Sequence, residues 1–170
     1  MSHKKKITLL RALLKKKDCN YYLLPRTDKF QNEFILEEDE RVKWLTGFSG
    51  SFAFVIISLK YCIIFTDGRY INQIKKEVDQ EIFKVLNIND KDPILWLKDK
   101  IKVKEKVLLD SWLFTSNNFN YIKKTMQKRQ CEVLLSKEIF IDKIWKKKPN
   151  RINNKIFIRE KKYSGISFKN

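Results

Sequence analysis

The spacing of apolar residues changes several times along this 170-residue chain, and each change predicts a new secondary-structure element. Residues 5–17 place four apolar side chains on one helical face with lysines opposite, which predicts an amphipathic helix. Those four are Ile7, Leu10, Leu13 and Leu14. The next segment, YYLLP at 21–25, is typical of a short strand that ends at Pro25, because proline lacks a backbone donor.

Two consecutive segments, 51–58 and 61–67, are apolar at successive positions, which predicts strands at the centre of a sheet covered on both faces. Their short connection makes them antiparallel. The remaining pattern predicts helices at 37–45, 69–78, 93–101 and 115–129, and strands at 82–88, 106–110 and 131–135. This alternation predicts a three-layer α/β domain, in which a mixed sheet of about six strands is flanked by helices.

Residues 1–148 are predicted to form this one domain. The acidic residues at 37–40 are expected in the first turn of the second helix, near the positive end of its dipole. The polar segment 149–170 contains Gly165 and closes no pattern, so we expect a linker that runs into the start of an absent domain.

The formal net charge of +17 raises the possibility of a nucleic-acid partner. However, lysine, asparagine and isoleucine are all abundant, as an A/T-rich genome would produce, and the lysines are spread along the whole chain. We therefore expect no specific nucleic acid, and a basic nucleic-acid-binding protein is kept as the alternative function. A salt series distinguishes the two, because attraction by charge alone fades steeply with salt.

Three features favour a cytoplasmic protein without a membrane partner. The sequence has no apolar run of the roughly 20 residues that span a bilayer. It also has no convincing signal peptide. The three cysteines, Cys19, Cys62 and Cys131, are far apart and lie beside apolar residues, so we expect buried reduced thiols and no disulfide or zinc site.

Three of the four glycines lie in the segment 44–73, within TGFSGS (46–51) and TDGRY (66–70). The spacing excludes a phosphate loop, a dinucleotide fingerprint and a nucleophile elbow. The only histidine, His3, is expected in a disordered basic tip, so no histidine-dependent triad or metal site is predicted. Asp67 is open to two interpretations: it stabilises a turn with Arg69 docked nearby, or it lies directly at a substrate site.

Five segments carry a resemblance to a known family. They are NYYLLPRTDKFQNEF (20–34), ERVKWLTGFSGSFAFVII (40–57), FTDGRYINQ (65–73), IDKIWKKKP (141–149) and YSGISF (163–168). In order and spacing they resemble the N-terminal half of the Xaa-Pro aminopeptidases (aminopeptidase P), which belong with prolidase and creatinase. The resemblance covers about residues 5–168.

The resemblance implies a creatinase-like N-terminal α/β domain that supports oligomer contacts and walls the cleft of a hydrolase. It assigns catalysis to a second, pita-bread domain that holds two divalent metal ions, typically manganese. Because such ions activate water and polarise the scissile carbonyl, this chain is expected to have no enzymatic activity, catalytic residue, metal or cofactor of its own.

The family positions that carry over are expected to have structural or interdomain roles. They are Arg41, Thr46, Gly47, Phe48, Gly50, Ser51, Asp67, Gly68, Arg69, Tyr70 and Gln73. Gly47, Gly50 and Gly68 are expected to turn the chain between helix and strand. The family usually has His, Ser, Tyr and Gly at four positions that differ here, and the lost polar groups at 30 and 34 weaken the expectation of family contacts in that loop. These positions are Phe30, Asn32, Phe34 and Ala53.

Two explanations for a chain without its catalytic half stay open. Either the chain is an orphan fragment of a split or decaying, pseudogene-like gene, or a separate chain supplies the catalytic half. An uncovered apolar face is further expected to favour self-association.

Overall fold

The computed structural model describes residues 1–151, 155, 157–158 and 160–165. The linker expected at 149–170 therefore lies partly outside the described residues and stays a prediction. Within the described part of the chain, no helix is both long and apolar enough to cross a membrane.

The strands of the described residues form one mixed sheet, as the sequence predicts. They are β1 (Tyr21–Pro25), β2 (Phe54–Ser58), β3 (Cys62–Thr66), β4 (Phe83–Asn87), β5 (Lys106–Asp110) and β6 (Glu132–Ser136). Their order in the sheet is β4-β3-β2-β1-β5-β6. Strand β2 is antiparallel to both of its neighbours, β1 and β3, whereas the other adjacent pairs are parallel.

Helices cover both faces of this sheet, which confirms the three-layer prediction. They are α1 (His3–Lys16), α2 (Arg41–Thr46), α3 (Ile71–Glu77), α4 (Pro93–Lys100) and α5 (Ser116–Gln127), with the short α6 (Lys161–Ser164). Apolar residues of α1, α2 and α3 belong to one buried cluster, and those of α4 and α5 belong to another. Strand β3 alternates between them: Cys62 and Ile64 lie in the first cluster, and Ile63 and Phe65 lie in the second. The uniformly apolar central strands follow from burial on both sides.

The expected burial of the cysteines is confirmed, because Cys19, Cys62 and Cys131 are all buried. Burial raises the pKa of the Cys62 thiol to about 11, although Arg11 lies beside the sulfur. At neutral pH this group is therefore an unreactive thiol.

Two expectations near the helix starts are wrong. His3 does not lie in a disordered tip: α1 begins at His3, since Ser2 Oγ accepts a hydrogen bond from the Lys5 N–H. The acidic segment is a 3₁₀ turn at Glu37–Asp39 that precedes α2 and does not form its first turn. Helical structure is interrupted at Glu40, between this turn and α2. The interruption lets neighbouring carboxylates bind different arginines, since Asp39 pairs with Arg41 and Glu40 pairs with Arg26.

Asp110 ends β5 in a fully buried position, where its carboxylate joins β1 to the last part of the domain. Its Oδ2 accepts from the Tyr22 hydroxyl, and its Oδ1 accepts from the Phe140 N–H at 2.9 Å. Burial raises the pKa of Asp110 to about 6 despite these hydrogen bonds. The folded protein therefore binds the Asp110 proton more tightly than the unfolded chain does.

Acidification from pH 7 to pH 5 is expected to stabilise the wild-type protein by about 1 kcal/mol relative to the Asp110→Asn variant. The folded pKa lies above the unfolded value, so this contribution is fully present below about pH 4 and is lost as the pH rises through about 6. Asparagine keeps an acceptor for the Phe140 N–H but does not titrate. Urea unfolding of both proteins at pH 5, 6 and 7 measures the difference, and identical pH dependences would contradict the prediction.

Candidate functional site

The two glycine-bearing motifs meet at one end of the inner strands, where β2 begins and β3 ends. The segment 46–51 leads from the end of α2 toward β2, and the segment 66–73 leads from the end of β3 into α3. The structure brings together most of the predicted motif residues here. These are Thr46, Gly47, Phe48, Gly50, Ser51, Tyr70 and Gln73, with Asp67, Gly68 and Arg69 on an adjoining exposed turn.

Gly47 terminates α2 in a left-handed conformation, with φ of +89°. Its N–H donates to the Lys43 carbonyl at 2.8 Å, which is the usual way to close a helix C-terminus. A Cβ at this position would lie 2.9 Å from the Glu77 carbonyl oxygen and 3.1 Å from His3 Cε1. Glycine is therefore required at Gly47 both for backbone conformation and for the close approach of α1 and α3.

Phe48, Gly50 and Tyr70 form a tightly packed unit. Phe48 is fully buried and packs edge-on against Tyr70, with ring centroids 5.8 Å apart. A Cβ on Gly50 would lie 2.2 Å from Phe48 Cζ and 2.8 Å from Tyr70 Cδ1. The Tyr70 hydroxyl lies 2.7 Å from Ser51 Oγ, and this hydrogen bond lowers the pKa of the Tyr70 phenol. Glycine is thus needed at position 50, because the Phe48 and Tyr70 rings leave no space for a Cβ atom.

Glu77 is a member of this site that sequence reasoning missed. Its carboxylate accepts from the Ser49 N–H and the Ser49 hydroxyl, each at 2.8 Å, and from the Gln73 side-chain amide at 2.9 Å. Burial acts to raise the pKa of Glu77, but the hydrogen bonds from Ser49 and Gln73 outweigh it and lower that pKa. The i, i+4 spacing of Gln73 and Glu77 on a predicted helix is the sequence feature that could have identified Glu77 as a member of the site.

The Asp67 turn favours the structural interpretation. Its carboxylate accepts from the Arg69 N–H at 3.0 Å and from the Arg69 guanidinium at 2.8 and 3.1 Å. The hydrogen bond from Arg69 lowers the pKa of Asp67. Gly68 is not required for the turn: among the described residues, no heavy atom lies within 4 Å of a Cβ built there, and its φ is not left-handed.

Arg41 lies apart from this cluster, at the start of α2, and is 2% exposed. Its Nε and Nη2 donate to the two carboxylate oxygens of Asp142 at 2.9 and 3.0 Å, and its Nη1 donates to Asp39 at 2.7 Å. Lys148 also binds Asp142, at 2.5 Å. Burial acts to lower the pKa of Arg41, but the two aspartates outweigh it and raise that pKa. Arg41 thereby fixes the segment around residue 142 against α2.

A cavity of about 580 Å³ opens at the carboxyl ends of β1 and β5. These strands are adjacent and parallel, but the chain leaves β1 toward β2 through α2, and leaves β5 toward β6 through α5 on the opposite face. Crevices at such a reversal of direction are the usual ligand sites of open α/β sheets. Two motif residues, Ser51 and Arg69, line the cavity.

A metal site does not fit the residues that are described. Among them, no group of three or more His, Cys, Asp or Glu side chains could hold an ion. We therefore assign no step of metal chemistry to the described residues of this chain.

Comparisons with known proteins bear on the family and the fold of this chain. The model of the Creatinase/Prolidase N-terminal domain matches residues 6–139. A protein described as a probable Xaa-Pro aminopeptidase P from Coprinopsis cinerea is 30% identical over 97% of this chain, and Xaa-Pro aminopeptidase 1 of Dictyostelium discoideum is 29% identical over 95%. The chain spans only 27% of the length of either relative.

Solved structures share the fold. The X-prolyl aminopeptidase of Caenorhabditis elegans, described as a cytosolic enzyme with a di-nuclear active site, superposes with a TM-score of 0.88 at 24% identity, over 98% of this chain and 29% of its own. The N-terminal domain of the cytoplasmic peptidase PepQ from Mycobacterium tuberculosis superposes with a TM-score of 0.61 at 15% identity, over 82% of this chain and 98% of its own.

Proposed function

The chain belongs to the Creatinase/Prolidase N-terminal domain family, and from this premise we propose that it is the non-catalytic N-terminal domain of an Xaa-Pro aminopeptidase. The carrying observation is the alignment of 97% of this chain with 27% of an aminopeptidase P relative. In this role the domain docks on a separate catalytic region and walls the cleft. That region would hold the metal ions, typically manganese, that activate water for hydrolysis before proline. The cytosolic description of the worm relative supports a cytoplasmic location.

The loop after β1 is the proposed docking surface. Its apolar side chains are exposed: Phe30 is 62% exposed, Phe34 89% and Leu36 51%. Three large exposed apolar side chains on one loop indicate an interaction surface more strongly than a single such residue does. Arg26 holds the base of this loop, because its guanidinium donates to the Glu33 carbonyl and to the Glu40 carboxylate.

A chimera tests the proposed function. The chain replaces the corresponding N-terminal part of the Dictyostelium relative, and manganese-dependent hydrolysis of an Xaa-Pro peptide is measured. We expect the chimera to be at least about tenfold more active than the same catalytic part without an N-terminal domain, because docking orders the cleft wall. The 170-residue chain alone is expected to show no turnover.

Two matched substitutions identify the surface. Phe34→Asp is expected to lower the activity of the chimera at least about tenfold, since it places a charge in a buried apolar contact. Leu95→Asp on α4, also at an exposed apolar position, is expected to leave it unchanged. A folded chimera no more active than the isolated catalytic part would refute the proposal.

A further inference from the structure

The direction of the strands brings four basic segments to one end of the sheet. Strand β1 is parallel to β5, β5 to β6, and β3 to β4. Because β2 is antiparallel to both β1 and β3, the strands β1, β3, β4, β5 and β6 all begin at the same end. Residues 15–20, 60–61, 100–106 and 128–132 lie around these starts. We call these residues the basic end.

Backbone contacts hold neighbouring segments of the basic end side by side. The Asn20 N–H donates to the Lys106 carbonyl, and the Asn20 side-chain oxygen accepts from the Lys106 N–H, each at 2.9 Å. The Lys104 N–H donates to the Gln130 carbonyl at 3.2 Å. Segments that are far apart in the sequence therefore form one surface.

The basic end carries exposed cations that have no carboxylate partner among the described residues. Each lies at an exposed position, and none of them forms an ion pair with a described carboxylate. They are Lys15, Lys16, Lys17, Lys60, Lys100, Lys102, Lys104, Lys128 and Arg129. Their positive charges are available to displace the counterions that condense on a polyanion.

Negative groups near the basic end offset only part of this charge. Two carboxylates are already paired, because Lys106 binds Asp18 and Lys91 binds Asp99. The helices α1, α4 and α5 end here, and each contributes the equivalent of about half a negative charge. The other acidic residues near the strand starts are Glu105, Glu132 and, before β4 at the far edge of the sheet, Asp79 and Glu81.

The opposite end of the sheet has a different arrangement of charge, because its arginines are paired with carboxylates. The pairs are Arg26 with Glu40, Arg41 with Asp142, and Arg69 with Asp67. Unpaired cations from four separate segments thus meet at the basic end, although the lysines are spread along the sequence.

The side chains of the basic end fit phosphate groups better than bases or a bilayer. Lysine binds phosphate as a point charge, whereas base readout favours the arginine fork, and Arg129 is the one arginine here. A helix or loop that inserts into a bilayer needs several apolar side chains. Among the described large apolar residues, only Val103 is exposed at the basic end. An exposed aromatic ring for stacking single-stranded bases is absent from the described residues there.

From these observations we propose that the basic end binds the phosphate backbone of duplex nucleic acid without sequence preference. This inference goes beyond the proposed docking role. The basic end lies at the opposite end of the sheet from the loop after β1, so both surfaces can be occupied together. The test uses the 170-residue chain alone, so its failure leaves the chimera result unaffected.

Fluorescence anisotropy of a labelled duplex of about 20 base pairs tests the proposal over a series of KCl concentrations. We expect a Kd of about 10 µM at about 150 mM KCl. The logarithm of the association constant is expected to fall with the logarithm of salt concentration with a slope of about −4, as contact with four or five phosphates gives. Two duplexes of unrelated sequence are expected to bind within about twofold of each other. DNA and RNA duplexes are compared, and the tighter ligand identifies the preferred source of phosphate.

Two triple variants that lose the same charge give the matched control. Lys102→Gln, Lys104→Gln and Lys128→Gln together are expected to weaken binding at least about tenfold and to make the salt slope about 2 units less steep. Lys4→Gln, Lys5→Gln and Lys43→Gln together are expected to change binding less than about twofold. These exposed lysines lie near the other end of α1, where His3 lies against Gly47. Melting curves establish that each variant is folded.

The proposal is overturned if the duplex shows no saturable binding up to about 200 µM chain at about 50 mM KCl. Equal binding by the two folded triple variants would also overturn it, because the net charge and not the basic end would then be responsible. Sedimentation with vesicles that contain about 30% phosphatidylserine, without binding of the duplex, would assign the surface to a membrane instead.

Discussion

Replacing Arg41 with methionine is expected to lower the free energy of unfolding by about 3 to 5 kcal/mol. The guanidinium is 2% exposed and binds Asp142 through two nitrogens, so its loss removes a hydrogen-bonded pair in a poorly solvated position. Asp142 would retain Lys148 as its remaining cation. Urea unfolding monitored by tryptophan fluorescence measures the change, because Trp44 on α2 stacks on Trp145 with ring centroids 5.1 Å apart.

The control is Arg69→Met, which removes another arginine–aspartate pair. The Arg69 side chain is 65% exposed, so water competes for both partners, and we expect no measurable change in stability. If the two methionine variants lost equal stability, burial would not be what distinguishes these ion pairs.

Gly50→Ala is expected to cost about 2 to 3 kcal/mol, because the new methyl group would lie 2.2 Å from Phe48 Cζ in a fully buried position. Gly68→Ala is the matched control in the same site. A Cβ there meets no heavy atom within 4 Å among the described residues, so alanine is expected to be neutral or to stabilise by about 0.5 kcal/mol through the unfolded state.

A second substitution shows whether the Phe48 ring is the cause. In a Phe48→Leu background, Gly50→Ala is expected to cost at least about 1 kcal/mol less, since the ring atoms that the methyl group meets are gone. Thermal or urea unfolding of the four proteins gives the coupling. An undiminished cost in the leucine background would place the strain elsewhere.

Much of the architecture was predictable because burial on two faces leaves a strong pattern. The apolar runs at 51–58 and 61–67 identify β2 and β3, and their short connection fixes the antiparallel pairing of these two strands in the mixed sheet. Helix boundaries were less predictable. The break at Glu40 depends on which arginine each carboxylate binds, and this information lies in the tertiary structure rather than in local spacing.

The candidate site, too, was predictable only in part from the sequence. Gly47 was identifiable as a turn between helix and strand, but its close approach to the Glu77 carbonyl required the position of α3. Gly50 is constrained by a ring two residues earlier, and Gly68 is not constrained at all, although the sequence places both glycines in similar motifs. Arg41 and Asp142 are separated by 101 residues, so no spacing rule connects them.

That separation has a consequence for synthesis. As the protein emerges from the ribosome, Arg41 follows Asp39 directly but appears long before Asp142, which binds two of its guanidinium nitrogens. The nascent domain can condense its central strands early, but the buried Arg41 acquires its second carboxylate partner only after the segment around residue 142 has been translated. Completion of this domain is therefore a late event in the translation of the chain.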